Sequence, residues 1–198
     1  MAVRFHRRSI RLPGYDYTRA GAYYVTVCTH QRAHAFGQVT DGVMRNSAMG
    51  DIVQRCWDAI PEHMPMVICD AFVVIPNHVH GIVVITEQAD VPPPVGAGNF
   101  PPLRGVEQDP TEPPPDDPDA PRKRPIAIMV KNSLGHIMQT FKAAVSRQFY
   151  RDDLMPRGTP VWQRGYYEHI IRDDAEWMRI ADHIRDNPKN WEKDRFNR

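Results

Sequence analysis

Two histidines one residue apart, His78 and His80, lie in the stretch Ala71-Phe72-Val73-Val74-Ile75-Pro76-Asn77-His78-Val79-His80-Gly81-Ile82-Val83-Val84-Ile85. Two runs of strand length, rich in Val and Ile, flank Pro76-Asn77, which reads as a turn. In a strand, residues i and i+2 project from the same face. Both imidazoles therefore leave one side of the second strand, where they can share one divalent metal ion. The plainer alternative is two polar residues at a strand start, in contact with water. Two imidazoles inside an otherwise apolar hairpin need compensation for their burial, and a metal supplies it. Gly81 follows, and its missing side chain lets another backbone or a ligand come close.

The elements that must position this pair are readable from local signals. Residues 22–29, Ala-Tyr-Tyr-Val-Thr-Val-Cys-Thr, form the clearest strand, with β-branched and aromatic side chains throughout. Phe36-Gly37-Gln38-Val39 leads into the turn Asp41-Gly42. Residues 47–63 read as a helix with Ser47 as its N-cap, Met49, Ile52, Val53, Cys56, Trp57 and Ile60 at helical spacing, and Pro61 and Pro65 near its end. Ser133 can cap a helix running to about Arg151, with Leu134, Ile137, Met138, Phe141, Ala144, Val145 and Phe149 on its apolar face. Residues 161–171 read as a strand with a break available at Gly165. Asp173 or Asp174 caps a last helix carrying Trp177, Ile180, Ala181 and Ile184, which Pro188 stops. The order is β-α-β-β-α-β with an additional C-terminal helix. This predicts an α+β fold: a ferredoxin-like antiparallel sheet with helices on one face.

The 198 residues suit a single domain, 1–198, interrupted by one insertion. Residues 87–125 hold 12 of the 19 prolines, with Gly and acidic residues and almost no aromatics. Such a composition buries too little apolar surface to offset its ordering entropy, so the segment is expected to be a disordered insertion. The net charge of +1 confines any nucleic-acid affinity to local patches. One patch is the arm over residues 1–22, where Arg7, Arg8 and Arg11 interleave with tyrosines. It reads either as a solvated arm or as a phosphate-contacting one. Another is Arg122-Lys123-Arg124 at the end of the insertion, a solvated linker end or a backbone contact. Cys28, Cys56 and Cys69 lack metal-site spacing and read as buried thiols of a reducing compartment. No run is long and apolar enough to span a membrane and no signal peptide is visible, so a cytoplasmic protein is expected.

An ordered set of segments extends this reading. Arg11-Leu12-Pro13-Gly14-Tyr15-Asp16-Tyr17, Tyr23-Tyr24-Val25-Thr26-Val27-Cys28-Thr29, Pro76-Asn77-His78-Val79-His80-Gly81-Ile82, Phe141-Lys142, Val161-Trp162-Gln163-Arg164-Gly165-Tyr166-Tyr167-Glu168-His169-Ile170-Ile171-Arg172 and Asn187-Pro188-x-x-Trp191-Glu192-x-Asp194 occur in this order. Together they resemble the single-tyrosine HUH transposases of the insertion-sequence-200-like family, and within it the REP-associated tyrosine transposases. The matches cover nearly the whole chain outside the insertion. The resemblance implies a DNA transposase, a metal-dependent single-strand endonuclease and strand transferase acting on hairpin-forming repeats. The His pair would hold Mg²⁺ or Mn²⁺ against the scissile phosphate, withdrawing charge from its oxygens. A tyrosine on the last helix would form a 5′-phosphotyrosine link. Asn187 matches the family's third metal ligand. Four residues before it, where the family has its tyrosine, this chain has His183, on the same helix face.

Three readings follow from that departure. His183 acts as nucleophile or general base; Tyr166 or Tyr167 attacks instead; or the protein is a catalytically degenerate binder of the same DNA. The partner expected is single-stranded or hairpin DNA, bound by a monomer or homodimer. Lys142, Arg147 and Arg164 join the two basic clusters as candidate DNA contacts. A metal-binding ferredoxin-like domain acting on a small molecule is the reading outside DNA chemistry, and it leaves the basic arm without a use.

Overall fold

The computed structural model describes residues 16–86 and 132–197. Arg7, Arg8, Arg11 and residues 87–125, the stretch expected to be an insertion and holding Arg122, Lys123 and Arg124, lie outside the described residues. The described chain runs β1 (Gly21–Cys28), β2 (Gly37–Thr40), β3 (Val43–Asn46), α1 (Ala48–Asp58), α2 (Ile60–His63), β4 (Val67–Ile75), β5 (His78–Ile85), α3 (Leu134–Arg151), β6 (Tyr167–Ile171) and α4 (Asp174–Asp186). Short 3₁₀ turns follow β1 at His30–Arg32 and α4 at Pro188–Lys193. The expected caps form. Ser47, Ser133 and Asp173 each accept the backbone N–H three residues on, satisfying a first-turn donor.

The main sheet has the order β4-β5-β1-β6 with every pair antiparallel. With the β2–β3 hairpin set aside, this is the ferredoxin-like β-α-β-β-α-β arrangement predicted above. Strand alternation gives the sheet two unlike faces. Tyr23, Val25, Val27, Val79 and Val83 point to one side and pack with Ile52, Val53 and Trp57 of α1 and Ile137, Met138, Phe141 and Val145 of α3. Tyr24 and Ile82 point to the other side, where Ala181 and Ile184 of α4 cover part of it. The C-terminal helix thus lies on the face that carries the histidines. Gly81 faces the larger core. A Cβ there would come within 2.5 Å of the Trp57 indole, so the glycine admits a ring and not a ligand.

Several boundaries differ from the sequence expectations. The helix over 47–63 breaks at Ala59 and resumes as α2, with Pro61 in its first turn, where a missing N–H costs nothing. The strand over 161–171 shortens to β6. Its upstream half contributes only the bridge Thr29↔Trp162, because Gly165 (φ 81°) turns the chain between them. A hairpin, β2–β3, reverses at Asp41-Gly42, both in the left-handed region (φ 52° and 72°) that such tight turns require. Cys28, Cys56 and Cys69 are free and half-buried rather than fully buried.

Candidate metal centre

β5 starts directly after the Pro76-Asn77 turn, so His78 and His80 stand at the end of the sheet, opposite Cys28 and Thr26 of β1. Both rings are buried, at 0% and 2% exposure. The hydrogen bonds around them define how each ring is presented. Asn77 donates its amide N–H to the Phe196 carbonyl (2.7 Å), which turns its Oδ1 toward His78 Nδ1 (2.8 Å). An amide oxygen only accepts, so His78 carries its proton on Nδ1 and leaves Nε2 as a lone pair. His80 Nδ1 lies 2.7 Å from the Tyr24 hydroxyl and 2.8 Å from Thr26 Oγ1. These contacts turn both Nε2 atoms toward one another, 2.9 Å apart. Two adjacent ligands of an octahedral ion at about 2.0–2.1 Å would lie about 2.9 Å apart.

A carboxylate completes the cluster. Asp194, just after the second 3₁₀ turn, brings Oδ2 to 3.8 Å from His78 Nε2, and donor atoms of His78, His80 and Asp194 all lie within 4.8 Å of one another. These three residues could hold a metal ion. Burial pushes the His78 imidazole down to about 4, against the opposing pull of Asp194. Burial, then the neighbouring His78 and His183, hold His80 well below the usual histidine value. Both rings are therefore neutral at pH 7, the Asp194 contact is not an ion pair, and without an ion the 2.9 Å contact between the two Nε2 atoms is a hydrogen bond that His80 donates to His78. Asn187, 2% exposed at the end of α4, donates from Nδ2 to Asp194 Oδ2 (3.3 Å). Its Oδ1 is buried without a hydrogen-bond partner among the described residues. Two neutral imidazoles and a carboxylate are a donor set suited to a divalent cation, and the unpartnered Asn187 oxygen belongs to a side chain that touches that carboxylate.

The other candidates fall at graded distances. The exposed His183 ring is 5.5 Å from that of His80 and 6.4 Å from that of Tyr24, so α4 does turn it toward the centre. Tyr167, 37% exposed on β6, meets the Tyr24 ring edge-on at 6.2 Å. Tyr166 packs on the large core.

No protein-family model matches the chain. An uncharacterised protein of Haemophilus influenzae (strain Rd) is 36% identical over 192 residues, 96% of this chain and 93% of that protein. The chain belongs to that protein's family. In fold comparison it is similar to a solved REP-associated tyrosine transposase bound to a REP hairpin, at TM-score 0.48 and 15% identity, over 91% of this chain and 74% of that one. It is also similar to the crystal structure of a putative transposase from Deinococcus radiodurans R1, at TM-score 0.41 and 15% identity, over 88% and 95%.

Of the basic candidates within the described residues, Arg147 and Arg164 are exposed. Arg147 is on α3, across the sheet from the histidines. Lys142 is half-buried and donates to the carbonyls of Gln163 and Gly165 (2.8 and 3.0 Å), and burial holds its amine below the usual lysine value. Sequence reasoning left Asp194, Tyr24 and Thr26 without a role. Asp194 lies in the matched C-terminal segment, which was its only signal. Tyr24 and Thr26 share the parity of the histidines once β1 and β5 are paired. Among the described residues no helix is long and apolar enough to cross a membrane.

Proposed function

We propose that this chain is a transposase-type protein that binds hairpin-forming single-stranded DNA at a metal centre, and that it cuts that DNA weakly or not at all. The observation that carries this reading is the convergence of His78, His80 and Asp194 with the His183 ring beside them and Asn187 one helical turn further on. His78, His80 and Asp194 would hold Mg²⁺ or Mn²⁺, with the Asn187 carbonyl as a fourth protein donor. When bound, such an ion supplies charge withdrawal from a phosphate and stabilisation of a leaving oxygen. Tyr24 and Thr26 orient His80, and Asn77 orients His78. By the family's spacing His183 would stand in the nucleophile's position, and its ring 5.5 Å from that of His80 supports this. Imidazole is shorter than a phenol, and phosphoryl transfer depends chiefly on positioning, so a short reach is costly. Under this reading the protein works on DNA in the cytoplasm as a monomer or homodimer, and 87–125 is an insertion that the single domain tolerates.

The test runs wild type, His183→Tyr and His183→Ala side by side on a labelled hairpin oligonucleotide, with Mn²⁺ and with chelator. A gel shift in wild type without a denaturation-resistant adduct, and an adduct in His183→Tyr, is the expected result. Efficient cleavage by wild type that His183→Ala abolishes would make the histidine catalytic. An adduct mapped to Tyr167 in wild type would move the nucleophile to β6. Absence of any shift would remove DNA as the partner.

A further inference from the structure

The turn after β1 is strained and closely tied to the metal centre. Gln31 and Arg32, neither of them glycine, both adopt left-handed backbone (φ 52° and 57°). Side chains rarely tolerate that conformation unless the surroundings hold it, and such strain clusters at functional sites. Here the hold is visible. Thr29 donates from both its N–H (2.9 Å) and its Oγ1 (3.0 Å) to the carbonyl of Asn77, the residue before His78. Thr29 Oγ1 also reaches the Ala33 carbonyl (2.9 Å), closing the turn.

The turn delivers Arg32 to Phe196, its guanidinium carbon 5.1 Å from the ring centroid. Arg195 lies over the same ring at 4.6 Å. Phe196 is itself part of the centre's wall. Its ring is 4.8 Å from that of His78, its carbonyl accepts from Asn77, and its N–H donates to Asp194 Oδ1 (2.7 Å). Arg32 is half-buried and Arg195 exposed. Neither has a carboxylate within salt-bridge distance among the described residues. A guanidinium is always charged, stacks on an aromatic face with little loss of hydration, and keeps its edge N–H groups for a planar anion. Two guanidiniums on one aromatic platform, adjoining three metal-ligand candidates, offer N–H donors of the kind a phosphate accepts from.

We propose that Arg32 and Arg195 are a phosphate-contacting pair that holds the backbone of single-stranded DNA beside the metal centre. This rests on the DNA-processing reading above and adds the residues that grip the strand there. The rival role is folding alone, with the two stacked cations pinning Phe196.

The full chain is tested as wild type, Arg32→Gln/Arg195→Gln and Arg32→Lys/Arg195→Lys, on a fluorescent hairpin with a single-stranded tail, over a salt series. Each single-strand phosphate contact contributes about 0.7 to the slope of log K against log salt, so losing two should flatten it by about 1.4. The Gln pair should bind more weakly and show that flatter slope. The Lys pair should keep most of the slope, and melting temperature and Mn²⁺ affinity should stay near wild type in both. A Gln pair with the wild-type slope and affinity overturns the inference while leaving DNA binding intact. A flatter slope accompanied by lost Mn²⁺ binding and a lowered melting temperature in both pairs also overturns it, in favour of folding alone. Wild type without hairpin binding overturns both this inference and the reading beneath it.

Discussion

The outer nitrogen of His80 offers a test of how the centre is held. His80 Nδ1 is buried and has two hydroxyl neighbours, Tyr24 at 2.7 Å and Thr26 at 2.8 Å. Tyr24→Phe and Thr26→Val each delete one hydroxyl and keep the approximate shape of the side chain. After either change the nitrogen retains one partner, so each single variant should lose only about 0.5–1.5 kcal/mol of stability, an ordinary hydrogen bond. The double variant leaves the nitrogen buried with none. It then bears the desolvation penalty of an unsatisfied polar atom, about 1–3 kcal/mol, in addition to the sum of the singles. The ring also loses the contacts that aim Nε2 at His78 and Asp194, and loss of such outer partners typically weakens metal affinity about 10–100-fold. Thermal melts and Mn²⁺ titration calorimetry on the four proteins read both effects. At this chain length each kcal/mol is roughly 2–4 °C in melting temperature. The signature is non-additivity: singles with modest effects, and a double worse than their sum in both stability and Mn²⁺ affinity. A double variant with wild-type Mn²⁺ affinity, or a Thr26→Val variant as damaged as the double, would refute the reasoning.

Two further outcomes follow from the packing around Gly81 and the hydrogen bonds of Glu176. Gly81→Ala puts a Cβ 2.5 Å from two atoms of the Trp57 ring, against ordinary contact at 3.4 Å or more, so something must move by about 0.9 Å. Trp57 is buried and stacked on Phe72 at 4.3 Å, so overpacking should cost about 1–3 kcal/mol, and adding Trp57→Leu should recover part of it in urea melts. On α4, hydrogen bonds from His169 and then from the Arg172 backbone N–H hold the Glu176 carboxyl below its usual range. A depressed carboxyl pKa contributes stability that is present above the unfolded value, about 4.3, and is lost as pH falls through the folded one. Glu176→Gln should therefore melt lower than wild type at pH 7, and the gap should close below about pH 4; a gap independent of pH would count against the assignment.

Local periodicity and local capping were legible along the chain. His78 and His80 share a face because strands repeat every two residues, whatever packs on them. Ser47, Ser133 and Asp173 cap their helices through contacts three residues away, and those starts are legible for that reason. The order of elements then leaves few antiparallel arrangements, and the ferredoxin-like one formed. The break at Ala59 and the shortening of β6 were harder to read, since each depends on what the flanking segments pack against. The composition of the centre depends on long-range contacts. Asp194 and Phe196 reach the histidines from the far end of the chain, because Asn77 takes the Phe196 carbonyl and Asn187 binds the Asp194 carboxylate. Tyr24 and Thr26 reach His80 through the register of β1 against β5, which one residue of slip would send to the opposite face. Gly81 was open to a ligand on sequence grounds, and Trp57 occupies that space instead. A face can be assigned from neighbours along the chain; the groups that meet on it are chosen by contacts between segments far apart in sequence, which no local pattern encodes.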